Sequence, residues 1–165
     1  MKKVFVLALV GFVLFSCKTK TVTSNEVEVS SKVDNSSQVD LKGEWIISSV
    51  SYPGSEYISV NSFDIADSKC FIGSTWKFIS NNNEGNVVLN KTKNCVEFIS
   101  PITWFVNKEG QFILKVLKAD SKAKKVRSGY VLTLANKTNY SFQLVDKINF
   151  GNNATDVIYQ FNKSN

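Results

Sequence analysis

The 165-residue chain contains no histidine, so any chemistry it performs must come from cysteine, carboxylate or tyrosine. Histidine is the side chain best suited to proton transfer near neutral pH and the commonest metal ligand. Three cysteines are present: Cys17 at the end of an apolar run, and Cys70 and Cys95, 25 positions apart. Without histidine, no zinc site is expected from them. No carboxylate is expected on an apolar strand face. Glu97 is out of phase with Phe98, and Asp146 and Asp156 fall at strand ends. No glycine-rich phosphate loop follows a strand, and no paired acids have a supporting context. The chain reads as a binding protein and not an enzyme, with no cofactor and no metal.

The N-terminus explains the first cysteine. Lys2 and Lys3 precede an apolar stretch from Val4 to Phe15, which fits the hydrophobic part of a signal peptide and is too short for a comfortable membrane span. The stretch ends at Leu14-Phe15-Ser16-Cys17, which resembles the bacterial lipobox. That resemblance implies a signal peptide over residues 1–16, cleavage before Cys17, and acylation of Cys17 with palmitate-type chains. Each buried methylene contributes roughly 0.8 kcal/mol, and two or three chains make a lasting anchor. The expected location is the bacterial cell envelope, lipid-anchored to the outer membrane and facing the periplasm.

Residues 17–39 form the lipidated cysteine and a polar tether without aromatic residues, too poor in apolar area to offset its ordering entropy. Its alternating valines allow a strand as the other reading. Residues 40–165 form one domain. In an exported chain Cys70 and Cys95 are an even pair in an oxidising compartment. Joined, they would stabilise by about 3 kcal/mol in the chain-entropy picture; two separate thiols are the alternative. The net charge of +6 includes Lys2 and Lys3; without them eighteen basic and fourteen acidic residues leave +4. Lys122, Lys124, Lys125 and Arg127 make one local basic run. It falls in an expected turn of an exported chain, so a solvated turn is expected and no nucleic-acid partner.

From residue 41 onward apolar residues recur with period two, the signature of strands with one buried face. Eight strands follow: Gly43 to Val50, Ser74 to Ser80, Asn86 to Asn90, Val96 to Asn107, Gln111 to Lys118, Val126 to Ala135, Tyr140 to Lys147 and Asp156 to Asn162. Pro101 cannot donate to a ladder and predicts a bend, bulge or edge in the fourth strand. Asn81 to Gly85 reads as a hairpin turn. The apolar faces carry Trp76 and Phe78; Phe98, Ile102 and Trp104; Phe112, Leu114 and Val116; Tyr130, Leu132 and Leu134; Tyr140, Phe142 and Leu144; Val157, Tyr159 and Phe161. Short turns imply antiparallel neighbours. The fold class is all-β, an eight-stranded antiparallel up-and-down barrel, with a two-sheet sandwich as runner-up. No helix of any length is expected, beyond one or two turns within Ser59 to Asp67.

The first strand opens Leu41-Lys42-Gly43-Glu44-Trp45, which resembles the Gly-x-Trp signature of lipocalins and of the bacterial lipocalin-like domain family. The run from Cys70 to Phe78 and the position of Cys95 also resemble that family. The likeness covers residues 41–162 and implies a barrel whose closed end is bent at Gly43 and plugged by Trp45. Lipocalins often set an arginine of the last strand against this tryptophan. Here the last strand offers only Lys163, and the single arginine is Arg127. The looser, lipocalin-like group is therefore the better match.

Two functions follow from this reading. The first is capture of a small hydrophobic ligand inside the barrel, with candidate wall residues Trp76, Phe78, Phe98, Trp104, Phe112, Leu114, Tyr130, Leu132, Phe142 and Tyr159. The connection from Ser51 to Gly73, with Tyr52, Tyr57, Phe63 and Phe71, would lid the open end. The second is a protein-interaction module (an inhibitor, scaffold or assembly lipoprotein) with a filled barrel and an envelope protein partner. Its mark would be an exposed apolar patch around Ile99 and Phe105. An eight-stranded barrel is just wide enough to be filled by side chains or to hold one small ligand, so the two readings divide on packing.

Overall fold

The computed structural model describes residues 30–54, 58–117, 129–150 and 153–164. The signal peptide, Cys17, Tyr57 and the basic run over 122–127 lie outside the described residues.

All eight expected strands form, with a small extra ladder between the first two. They are β1 (Gly43–Ser51), β2 (Asn61–Ser62), β3 (Ala66–Asp67), β4 (Thr75–Ile79), β5 (Glu84–Leu89), β6 (Phe98–Val106), β7 (Gln111–Val116), β8 (Tyr130–Ala135), β9 (Ser141–Phe150) and β10 (Asn153–Lys163). Eight of them make one closed barrel in the order β1-β10-β9-β8-β7-β6-β5-β4, all antiparallel. Closure comes from β1, which pairs β10 on one side and β4 on the other, with Trp45 opposite both Lys163 and Trp76. Closure leaves no edge to aggregate. The chain is therefore an eight-stranded antiparallel up-and-down barrel, as expected, and the sandwich is excluded.

The closed end is built from segments that sequence alone leaves unstructured. Residues placed in the tether form a helix, α1 (Asn35–Asp40), N-capped by Asp34, whose carboxylate accepts from the Ser36 amide at 3.1 Å. Just before it, Val33 bridges Asn107. The expectation of disorder up to residue 39 is thus corrected, because tertiary partners supply what composition lacks. Gln38 is buried, donates to Asn83 Oδ1 at 2.6 Å and accepts from the Val106 amide at 3.0 Å. Lys137 binds Asp40 at 2.6 Å. Leu41 and Trp45 are sealed beneath the helix, and the indole Nε1 donates to the Leu41 carbonyl at 2.8 Å. Gly43 has φ +127°, a conformation that side chains rarely adopt. Lys163 lies over the Trp45 ring at 5.5 Å, a cation–π contact where the resemblance leads one to expect an arginine.

Three further expectations are corrected. The segment Ser59 to Asp67 makes no helix; it contributes β2 and β3, followed by a 3₁₀ turn at Ser68–Phe71. Gly85 lies inside β5 and not in the turn, where Asn83 takes the positive φ of 59°. A Cβ on Gly85 would sit 2.0 Å from the Lys77 carbonyl oxygen, so glycine is needed for close strand approach. Tyr140 is exposed in the turn before β9 and not on its inward face.

Pro101 stays within β6, opposite Asn86. Its carbonyl accepts from the Leu117 amide at 2.9 Å. In a regular hydrogen-bonded pair the return bond would come from the N–H of residue 101, which proline lacks. The buried Ser100 hydroxyl donates to the Leu117 carbonyl instead. The regular β6–β7 pairing ends one residue earlier, at Ile102 opposite Val116.

Candidate functional site at the barrel mouth

Strand parity sends the candidate wall residues inward as expected, but they divide by depth. Trp76, Phe78, Trp104, Phe112, Leu114, Leu132, Phe142 and Tyr159 are all sealed from solvent, at 1% exposure or less. Their rings pack on one another. Phe78 and Trp104 have centroids 4.9 Å apart, Trp104 stacks on Phe112 at 5.6 Å, and Phe142 lies edge-on to Trp45 at 4.7 Å. Offset and edge-to-face contacts of this kind are favoured by the ring quadrupoles. These eight therefore form the hydrophobic core. Only Phe98 and Tyr130 are half-buried.

Both stand at the open end, where other inward positions are also incompletely covered. Val116 of β7, Tyr130 of β8, and Asp146 and Ile148 of β9 are half-buried. Together with Phe98 they form an arc of inward-facing, partly exposed side chains at the barrel mouth.

The opposite arc is covered by the connection after β1. β2 and β3 are joined by a tight turn in which the Ile65 amide donates to the Ser62 carbonyl at 3.0 Å. Its central residues, Phe63 and Asp64, have φ of 55° and 54°, as a type I′ turn requires. A bulky residue in this region is strained. Packing holds it there: the Phe63 ring lies 5.1 Å from Tyr130, 5.3 Å from Phe71 and 5.4 Å from Tyr159. Polar bonds fix the turn on both sides. The Ser62 and Tyr159 hydroxyls are 2.5 Å apart, and Tyr130 donates to Asp64 Oδ2 at 2.9 Å. The lid's far end is tied down by the disulfide Cys70–Cys95, with Cα atoms 5.6 Å apart, and by Tyr52 bonded to Ser68. The expectation that this connection lids the barrel holds for Phe63 and Phe71, both buried.

Asp146 is the mouth residue that the sequence reading missed. β9 runs on to Phe150, so Asp146 lies within a strand, opposite Val157 and in phase with Phe142 and Leu144. That parity was the available signal. It has no hydrogen-bond or ion-pair partner among the described residues. Burial raises its carboxyl above the ordinary carboxylate range. Tyr130 and Tyr159 are held firmly protonated, first by burial; the bond to Asp64 adds to this for Tyr130, and the field of Asp146 acts on both.

Among the described residues no three histidine, cysteine, aspartate or glutamate side chains gather to hold a metal. A cleft of about 370 Å³ lies between the end of β1 and the 3₁₀ turn, lined by Val50 to Gly54 and Lys69, and none of the candidate rings lines it. On the outer wall Ile46, Thr75, Val88 and Ile99 stand side by side across four strands. Ile99 is exposed as expected, whereas Phe105 is half-buried.

The fold and the site define an eight-stranded up-and-down barrel with a lidded mouth. No protein-family model and no curated protein matches the chain. Among solved structures it is similar to an odorant-binding protein, OBP1, at 10% identity and a TM-score of 0.43, over 82% of this chain and 77% of that one.

Proposed function

We propose that this chain is an exported lipoprotein, cut before Cys17, anchored by lipid on that cysteine to the periplasmic face of a bacterial outer membrane, and that its barrel mouth binds a small hydrophobic ligand. The observation that carries the ligand reading is the half-buried inward arc facing a lid whose plug, Phe63, is held in a strained conformation. A plug of one phenyl ring occupies a ring-sized space. Moving it aside would leave that space lined by Phe71, Tyr130 and Tyr159.

The entry of the chain into the barrel supports the orientation. Ser30 contacts Asn107 at the closed end, at 3.4 Å, so an anchor at Cys17 would hold that end toward the membrane and leave the mouth facing away. The thirteen steps from Cys17 to Ser30 span at most about 45 Å. The test is native mass spectrometry of the full chain purified gently from its own envelope. A diacyl or triacyl mass on Cys17 together with a removable mass of a few hundred daltons supports the proposal. An unmodified Cys17 removes the anchor, and a bare barrel under every gentle condition removes the ligand.

A second reading, the protein-interaction module, is favoured by the outer row. Ile99 is 66% exposed, and Ile46, at the other end of the same row, is exposed too. The same preparation tests it: a stoichiometric envelope protein lost on Ile99→Asp, with no small mass, would replace the carrier by a scaffold.

A further inference from the structure

Resting on the mouth as a ligand site, we infer that its ligand carries a cationic nitrogen on a ring-sized apolar body, with the nitrogen set against Asp146 and the ring against Tyr130 in the space that Phe63 fills. The argument begins with Asp146. It is inward-facing on β9, half-buried, and without a partner among the described residues. A carboxylate partly removed from water and left unpaired is costly, and a cation that displaces the remaining water offsets that cost.

The surroundings fit a cation. Among the described residues, the groups that act electrostatically on the two mouth tyrosines are Asp64 from the lid, Asp67 from β3, Tyr52 and Asp146 itself, with no lysine or arginine among them. The two ion pairs among the described residues, Lys77 with Glu44 and Lys137 with Asp40, lie elsewhere. In a chain of net charge +6, the charged side chain that described strand parity turns inward at the mouth is a carboxylate, Asp146. The half-buried ring of Tyr130 adds a quadrupole that attracts ammonium groups. Among the described residues, the carboxylates Asp146 and Asp64 are what an anionic ligand would meet beside Tyr130. Burial, which raises the Asp146 carboxyl, is the same effect that a bound cation would reverse.

The experiment compares three probes with one indole body: tryptamine, 3-methylindole and indole-3-acetate. Each is titrated calorimetrically into the full chain and into Asp146→Asn. The expected result is that tryptamine binds about tenfold tighter than 3-methylindole, as a charge-assisted contact in a half-buried site implies. In Asp146→Asn that advantage should vanish while 3-methylindole binds as before, which also shows that the variant is folded; Asp146→Ser is the second variant if it is not. Equal binding of tryptamine and 3-methylindole, tighter binding of indole-3-acetate, or an advantage that survives both substitutions overturns the cationic class and leaves the apolar ligand site standing. Binding of none of the three removes the ligand site itself, and the inference with it.

Discussion

The Tyr130 hydroxyl donates to the Asp64 carboxylate at 2.9 Å, joining the first residue of β8 to the tip of the lid. This bond and the Ser62–Tyr159 contact hold the Phe63 ring in the mouth. The lid is therefore latched by few groups, each open to substitution.

Removing the plug should loosen the mouth before it unfolds the barrel. Phe63→Ala is expected to cost about 3 kcal/mol, because the ring's packing is lost while alanine keeps the Cβ and with it the strained φ. Folded Phe63→Ala should also bind the neutral dye N-phenyl-1-naphthylamine with brighter emission than the parent. Unchanged emission would mean that the mouth closes around the gap.

The proline in β6 yields a double-mutant test. Ser100→Ala leaves the Leu117 carbonyl without its donor and should cost about 1–3 kcal/mol in urea unfolding. Pro101→Ala restores an N–H pointing at the same carbonyl. The cost of Ser100→Ala should therefore shrink clearly in the Pro101→Ala background. Additive costs would show that the serine acts only through packing.

Two glycines separate crowding from conformation. Gly85→Ala drives a methyl into the Lys77 carbonyl and should cost about 3 kcal/mol or more, or prevent folding. Gly73→Ala meets no atom within 4 Å, and only its φ of +79° is strained, so roughly 1–2 kcal/mol is expected. Thermal melts of the two variants should keep this order.

Asp146 gives a pH dependence with a definite sign. Its pKa is raised by folding, so the protonated form is the one the fold favours. The favourable contribution is fully present below the unfolded carboxylate value of about 4 and is lost as pH rises through the folded value. Asp146→Asn should therefore be more stable than the parent at pH 7, with the gain fading as pH falls through the folded value and gone below about 4. A gain that is constant with pH would mean that the carboxylate is not the source. Cation binding at the mouth should weaken on acidification over the same range.

Much of the barrel is legible in the one-dimensional pattern, because strand side chains alternate strictly and a one-residue slip would turn every apolar residue outward. Phe112 and Leu114, or Tyr159 and Phe161, declare their inward face without help from the rest of the chain. Gly43 and Trp45 marked the closed end, and Cys70 with Cys95 marked a bridge, since both depend on local residue type. The helix at Asn35–Asp40 was not legible, because six residues, five of them polar, have little intrinsic reason to be helical and are held by Asn83, Val106 and Lys137, far along the chain. Asp146 was missed because strand ends are set by the partner strand, and β10 carries β9 three residues beyond Lys147. Nor does alternation say how deeply the inward rings interlock, since that depends on the radius at which eight strands close. Only the tertiary structure decided that eight of the ten candidate wall residues are core and that the barrel's mouth leaves inward positions half-covered beside Tyr130 and Asp146.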